Sequence, residues 1–461
     1  MNLVDLESNV PCHLVAMPFP GRGHINPMMN LCKLLASRKQ DILITFVVTE
    51  EWLGYIKSEP KPNVVRFITI PNVVPSERLK AVDFPRFYES VMTKMEAPFQ
   101  QLLDRIEPPV TAIIGDIELR WSIEVGNRRN IPVAALWTMS SSFLSMLYDF
   151  DLFRKNQNLT TDLLDEVGEI PGISSSNISD LQTLLHRNDL RVLQLALECV
   201  SKVPKAQYLL FTSMYELEAQ VFDTLRATFQ ISVYSIGPAI PYLELENNPS
   251  TTVGSNNNDP NNSYLQWLDS QPKDSVLYIS LGSFLSVSSA QMDEIVSGLG
   301  DSGVRYLWVA RGEATRLKEK CNEKGLVLSW CDQLKVLCHS SVGGFWTHCG
   351  WNSILEAVFA GVPMLTFPLF LDQDPNTKLI VEDWQIGWRV GRNMDGDILV
   401  SREQIAEVVR KLMDWEGKDI RKRARELGER CRGATAEGGS TATNLDTFIR
   451  DLTLSKPTLY N

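Results

Sequence analysis

No run of about 18 apolar residues, the length a helix needs to cross a bilayer, occurs in the chain. The first residues, MNLVDLESNVPCHLVAMPFP, lack a basic segment leading into a long apolar one, so no signal peptide is expected. Eight cysteines are scattered at 12, 32, 199, 321, 331, 338, 349 and 431, with no Cys-x-x-Cys pair. A chain of 461 residues needs no disulfide staples, and reduced thiols in a cytoplasmic protein are expected. The sequons at Asn158, Asn177 and Asn261 are then expected to stay unmodified. Lysine and arginine form no long basic run, and 45 basic against 56 acidic residues give a net charge of −11. That excludes the electrostatic footprint of a nucleic-acid binder, so an anionic ligand has to be held by local donors. Only five histidines occur, widely spaced, and no metal-ligand cluster emerges from them. No metal and no cofactor are expected to be required.

What is present is ordinary globular composition: 44% hydrophobic and 22% charged residues. The length suits two large domains. Apolar runs at His13–Phe19, Ile42–Thr49, Val65–Ile70, Thr111–Gly115, Pro132–Trp137 and Gln207–Thr212 lack in/out alternation. They read as strands of a parallel sheet covered on both faces. Helical patterns such as Pro27–Arg38 and Phe87–Ile106 lie between them. The second half repeats the scheme, with strands expected at Val276–Leu281, Arg305–Ala310, Leu326–Ser329, Val342–Thr347 and Met364–Phe367. Its helices are expected at Ala290–Gly298, Ser353–Phe359, Arg402–Trp415 and Gly417–Arg432. The polar stretch NNPSTTVGSNNNDPNN between the halves is a linker by composition. The fold class is therefore α/β, two doubly wound parallel-sheet domains facing across a cleft. Expected bounds are 1–245 for the first domain, 246–262 for the linker and 263–440 for the second. The last segment, 441–461, is expected to form a helix that packs back on the first domain.

The most informative stretch runs from Trp330 to Gln373, WCDQLKVLCHSSVGGFWTHCGWNSILEAVFAGVPMLTFPLFLDQ. A strand runs straight into His348-Cys349-Gly350-Trp351-Asn352-Ser353, and a helix follows that stops at Gly361. Free backbone N–H groups at such a helix start make an anion site. His348, Asn352 and Ser353 add side-chain donors. Glu356, four residues after Asn352, lies on the same helix face and can accept from ribose hydroxyls. Trp330 can stack on a flat base, while Asp372 and Gln373 offer polar oxygens to a sugar. Each part alone has a plain structural explanation; their co-occurrence in one span points to a ligand.

This span resembles the signature box of plant secondary-product glycosyltransferases, the UDP-sugar-dependent enzymes. The matching residues are Trp330, Gln333, Leu337, His339, Gly343, Phe345, Thr347, His348, Gly350, Trp351, Asn352, Ser353, Glu356, Gly361, Val362, Pro363, Pro368, Asp372 and Gln373. The resemblance implies the GT-B fold, two Rossmann-like domains. It implies that Trp330 stacks on uracil, with Gln333 close by at the base and ribose, and that Glu356 binds the ribose. It implies that His348, Asn352, Ser353 and the Trp351 backbone hold the diphosphate, and that Asp372 and Gln373 bind the sugar. Gln at the last position goes with glucose donors, so UDP-glucose is the expected co-substrate. Cys331-Asp332 departs from the family's usual Ala-Pro, at positions that contribute mainly backbone. Asp372-Gln373-Asp374 also matches a bare DxD, a motif too short to imply a metal here.

The first strand ends in Pro20-Gly21-Arg22-Gly23-His24-Ile25-Asn26-Pro27. Asn26 reads as an N-cap and Pro27 as the first helical residue, which places His24 on a loop at the strand's carboxyl end. A histidine near neutrality suits removal of an acceptor proton, with a carboxylate to orient it. Asp116 ends the fourth strand at the same sheet edge, and the resembled family carries its catalytic His–Asp pair at these two motifs. Ile117-Glu118-Leu119-Arg120 then departs from the family's apolar pattern and implies a more polar acceptor surface. Thr138 resembles a contact to the sugar's primary hydroxyl, and Ser283 a phosphate-side loop.

The implied reaction is inverting transfer of a sugar to a hydroxyl or carboxyl of a small lipophilic acceptor by a monomeric enzyme. Acceptor contacts are expected from Val73–Phe84, Ser140–Phe153 and Ile173–Leu190, with Phe143, Met146, Phe150 and Leu184 on the apolar side. A hydride-transferring enzyme needs GxGxxG, and His-Ile-Asn after Gly21-Arg22-Gly23 breaks it. A non-catalytic binding protein on the same scaffold fits poorly with an intact His24 and Asp116.

Overall fold

The structure is a computed structural model that describes residues 12–39, 41–157, 190–246, 263–282, 287–391 and 399–454. Residues 247–262 of the expected linker, Ser283, Leu184 and the three sequons lie outside the described residues. The chain divides into two units: Met1–Ala239 with Ala434–Asn461, and Ile240–Gly433. The divisions fall a few residues before the expected 245 and 440. Tyr242 explains the first, since its ring stacks on Phe359 of the second unit at 5.6 Å.

In the first unit β1 (Cys12–Met17), β2 (Ile42–Thr49), β3 (Val65–Ile70), β4 (Ala112–Asp116), β5 (Val133–Trp137), β6 (Tyr208–Phe211) and β7 (Ser232–Ser235) form one sheet. Their order is β3-β2-β1-β4-β5-β6-β7, all parallel. Every residue of β1, β2, β4, β5 and β6 is buried, which is why their sequences do not alternate. In the second unit β8 (Val276–Ser280), β9 (Arg305–Val309), β10 (Gly325–Leu328), β11 (Val342–Thr347), β12 (Met364–Thr366) and β13 (Gly387–Arg389) follow the order β10-β9-β8-β11-β12-β13, again parallel. The strand order reverses between β1 and β4 in one unit and between β8 and β11 in the other. At such switch points adjacent connections diverge to opposite faces, and doubly wound sheets place their ligands there.

One expectation about helices changes. The pattern at Phe87–Ile106 is two helices, Phe84–Lys94 and Glu96–Leu103, because Pro98 lacks the N–H needed to continue the first. The C-terminal helix, Ser440–Leu454, belongs to the first unit. Phe448 packs edge-on against Tyr208, with ring centroids 5.6 Å apart. Asn444 Nδ2 donates to the Ser235 carbonyl at 3.0 Å, and Arg38 pairs with Asp446 at 2.7 Å.

None of the eight cysteines is in a disulfide. Among the described residues no helix is long and apolar enough to cross a membrane.

Candidate active site

The first switch point is built from the ends of β1 and β4. After β1 the chain turns at Gly21, and a helix spans Arg22–Arg38. His24 N and Ile25 N both donate to the Gly21 carbonyl, at 3.0 and 2.9 Å. The helix therefore starts five residues before Pro27. Asn26 is an exposed helical residue rather than a cap, and Pro27 lies inside the helix. The bond Pro27 forgoes would be to Gly23, which is solvent-exposed, so its cost is small. His24 is thus fixed on the first helical turn and not on a loop.

His24 Nδ1 is 2.8 Å from Asp116 Oδ2. Asp116, the last residue of β4, is buried, and its Oδ1 accepts from Glu118 N at 3.0 Å. Thr138 Oγ1 stands 3.1 Å from the same Nδ1. The opposite ring nitrogen, Nε2, faces Glu118 Oε2 at 3.4 Å. Lys80 is buried close by, donating to the Pro20 carbonyl at 2.9 Å and lying over the Phe19 and Phe87 rings. Burial works against a charged His24, and Lys80 adds to that, yet Asp116 and Glu118 outweigh both and raise the imidazole above its ordinary value. Burial likewise raises the Glu118 carboxyl, opposed by His24 and Lys80.

Sequence reasoning paired His24 with Asp116 but missed Glu118 as a partner and Lys80 altogether. The signal for Glu118 was its place two residues after Asp116. Lys80 sits in an irregular connection that carries no pattern. The scattered histidines also gave no hint that donor atoms of His24, Asp116 and Glu118 would converge within 4.8 Å of one another. Each carboxylate contacts a different ring nitrogen, which is the layout of a hydrogen-bonded chain. Thr138, expected at the sugar, lies beside His24. Phe143, Met146 and Phe150, expected on the acceptor surface, are buried in the core of the unit, with Phe143 stacked on Trp137.

The second switch point is built from the ends of β8 and β11. Gly282 follows β8 with φ +88°, and a Cβ there would come within 2.8 Å of His348 Nε2. Only glycine leaves room for that ring and adopts that backbone. His348 follows β11. Burial lowers its pKa to about 4, against a bond to the Ser280 backbone, so the ring is neutral at pH 7. Its Nδ1 is buried with no partner among the described residues.

Cys349 takes the left-handed conformation, φ +67°, a strained choice for a residue with a side chain. Its surroundings hold it there: Cys349 N donates to Thr347 Oγ1 at 3.1 Å, and Asn376 Nδ2 donates to its carbonyl at 3.0 Å. Gly350 then caps the Trp351–Ala360 helix without any side-chain bond. The first intrahelical bond recorded is Ile354 N to Gly350 O at 3.1 Å. The N–H groups of Trp351, Asn352 and Ser353 therefore stand in the turn that lacks intrahelical acceptors, which suits an anion.

Around this helix the sequence-expected residues partly converge. Gln333 Oε1 accepts from Tyr278 Oη at 3.0 Å, and its Nε2 donates to Ser353 Oγ at 2.9 Å and to Glu356. Gln333, expected close by at the base and ribose, thus braces Ser353 and Glu356. Burial raises Glu356 to about 7, countered by the Gln333 bond. Trp330, just past β10, is 60% exposed, a flat apolar surface open to solvent. Trp351, by contrast, buries its indole.

Asp372 Oδ2 accepts from Asn376 Nδ2 at 2.7 Å. Gln373 Oε1 accepts from Leu369 N and Phe370 N, at 2.7 and 3.0 Å. Its carbonyl oxygen is thus used on the loop, which leaves the amide N–H₂ rather than an oxygen for a ligand. Asp374 pairs with Arg389 at 3.2 Å.

A family model, UDP-glucoronosyl and UDP-glucosyl transferase, matches residues 143–409. UDP-glycosyltransferase 87A2 of Arabidopsis thaliana is 50% identical over 448 residues, 96% of this chain and 97% of that one. A structure of Phytolacca americana UGT2 complexed with UDP-2fluoro-glucose and pterostilbene is 27% identical, with a TM-score of 0.77 over 96% of this chain and 100% of that one. A structure of Medicago truncatula UGT71G1 complexed with UDP-glucose is 26% identical, with a TM-score of 0.76 over 98% of this chain and 100% of that one. The chain belongs to this family: it is a plant-type UDP-glycosyltransferase of GT-B fold, an enzyme acting on small acceptors.

Proposed function

We propose that the enzyme transfers glucose from UDP-glucose, with inversion, to a hydroxyl or carboxyl of a small lipophilic acceptor such as a terpenoid, phenol or hormone. The observation that carries the reading is the His24–Asp116 contact of 2.8 Å at the first switch point. Asp116 fixes the tautomer in which Nδ1 carries the proton and Nε2 has a lone pair. Nε2 removes the acceptor proton as the acceptor oxygen attacks the anomeric carbon from the face opposite UDP.

The second switch point supplies the donor half. Charge developing on the diphosphate is met by the N–H groups of the Trp351–Ser353 turn, with His348, Asn352 and Ser353 beside it. Trp330 stacks on uracil, Glu356 accepts from the ribose, and Gln333 braces it. Asp372 accepts from sugar hydroxyls and the Gln373 amide donates to them. Glucose is favoured by Gln373 and by the glucose donors bound in the two similar structures. A phenolic or other lipophilic acceptor agrees with the pterostilbene bound by the Phytolacca americana enzyme. We further propose a metal-independent, cytoplasmic monomer, so that EDTA leaves the rate unchanged.

His24→Ala tests the reading. Transfer from UDP-glucose to a mixed acceptor panel should fall about 10²–10⁴-fold while calorimetric UDP affinity stays within about twofold. Near-wild-type transfer would remove His24 as the base.

A further inference from the structure

Glu118 is a buried carboxyl that the His24–Asp116 pair does not require. Its N–H donates to Asp116 Oδ1 at 3.0 Å, which sets the turn after β4 and brings its Oε2 to 3.4 Å from His24 Nε2. Nδ1 is already held by Asp116, so Nε2 is the nitrogen left for an acceptor hydroxyl. A carboxylate facing the lone pair of a neutral imidazole is repelled; facing an imidazolium it is attracted. The arrangement therefore favours the ring after it has taken a proton over the ring before.

We propose that Glu118 is a positioning residue whose carboxylate holds the imidazolium formed at His24 Nε2, and so fits the enzyme to hydroxyls of low acidity, aliphatic alcohols rather than phenols. In the step it serves, the acceptor O–H bond breaks and its proton goes to Nε2. The acceptor oxygen bonds the anomeric carbon, and the electron pair of the old glycosidic bond leaves with UDP. A stronger base helps most where the acceptor is the weaker acid.

Other groups, charged and neutral, face the same cluster. Lys80 and Glu77 face it from the segment after β3, and Thr138 from the end of β5. Tyr88 of the Phe84–Lys94 helix bonds Glu118, and Cys199 of the Leu190–Val200 helix neighbours Tyr88. Lys80 opposes a charged His24, while Asp116 and Glu118 favour it and prevail. The neutral base then exists only above a raised titration point, so the acid limb of kcat/KM should lie above the ordinary imidazole value of about 6.5.

The inference rests on His24 being the base, and the test separates the two. In the full chain labelled with ¹⁵N-histidine, NMR follows the His24 ring, assigned by its loss in H24A. Glu118→Gln, which keeps an acceptor for Tyr88, should titrate at least about half a pH unit below wild type, and Glu118→Asp should recover part of the shift. With UDP-glucose and two probe acceptors, E118Q should lose about tenfold in kcat/KM on 2-phenylethanol and under about threefold on 4-nitrophenol. Its acid limb should move down with the NMR titration. Equal titration in wild type and E118Q overturns the proposal, and so do equal losses on the two probes. A shifted ring in E118Q together with full transfer by H24A would instead overturn the reading of His24 as base.

Discussion

His24 and His348 each follow a strand that borders a switch point, and each stands at a helix start, yet their surroundings drive them in opposite directions. His24 lies between two carboxylates, and its charged form is favoured despite burial. His348 lies against Gly282 and Gly350, and burial drops its pKa to about 4. One ring is prepared to receive a proton. The other stays neutral across the physiological range and can offer only a fixed N–H or lone pair. Similar backbone settings thus serve two chemistries, and the neighbours of each ring make the difference.

The comparison breaks most severely at Asp116. Asp116→Asn keeps the shape but loses the charge that fixes the His24 tautomer, and kcat should fall about 10²–10⁴-fold with UDP affinity unchanged by calorimetry. Gly282→Ala attacks the other ring. A methyl group at φ +88°, 2.8 Å from His348 Nε2, must displace it. Strain of about 1–3 kcal/mol should appear as a lower melting temperature and about 10–100-fold weaker UDP binding.

Glu356 sharpens the contrast by pH. Its folded-state pKa is raised from 4.5 to about 7, so its ionisation is costlier in the folded chain. Its contribution to stability therefore declines as pH rises through that window, and Glu356→Gln should flatten this part of the melting profile. Because a ribose hydroxyl donates best to a carboxylate, E356Q should weaken UDP about tenfold at pH 8 and less at pH 6. Thr138→Val is expected to be mildest. A loss of about threefold in kcat would place Thr138 with His24, whereas a rise confined to the KM for UDP-glucose would restore it to the sugar.

Much of this architecture was legible in the sequence. The bounds of β2, β3 and β11 agree with the runs Ile42–Thr49, Val65–Ile70 and Val342–Thr347, because buried parallel strands leave continuous apolar stretches. β7, Ser232–Ser235, and β13, Gly387–Arg389, escaped notice because they are short edge strands with little apolar content. The early helix start at Arg22 was hidden by Pro27, which mimics a first helical residue. At the sites, residue identity revealed which groups gather at a strand end but not which atoms they spend on one another. Gln373 turns its oxygen to the backbone of Leu369 and Phe370, and Gln333 braces Ser353 and Glu356. Such choices depend on three-dimensional satisfaction of polar groups, which no local pattern encodes.

The Ser440–Leu454 helix docks on β7 of the first unit, although the whole of Ile240–Gly433 intervenes. On the ribosome, at about 5–20 residues per second, roughly 10–40 s separate synthesis of the last sheet strand from that of its covering helix. During that interval Tyr208 and Tyr234 wait without the ring of Phe448. The second unit, encoded without interruption, has all its own strands before the first can close. Vectorial synthesis therefore favours completion of the second unit ahead of the first, which carries His24.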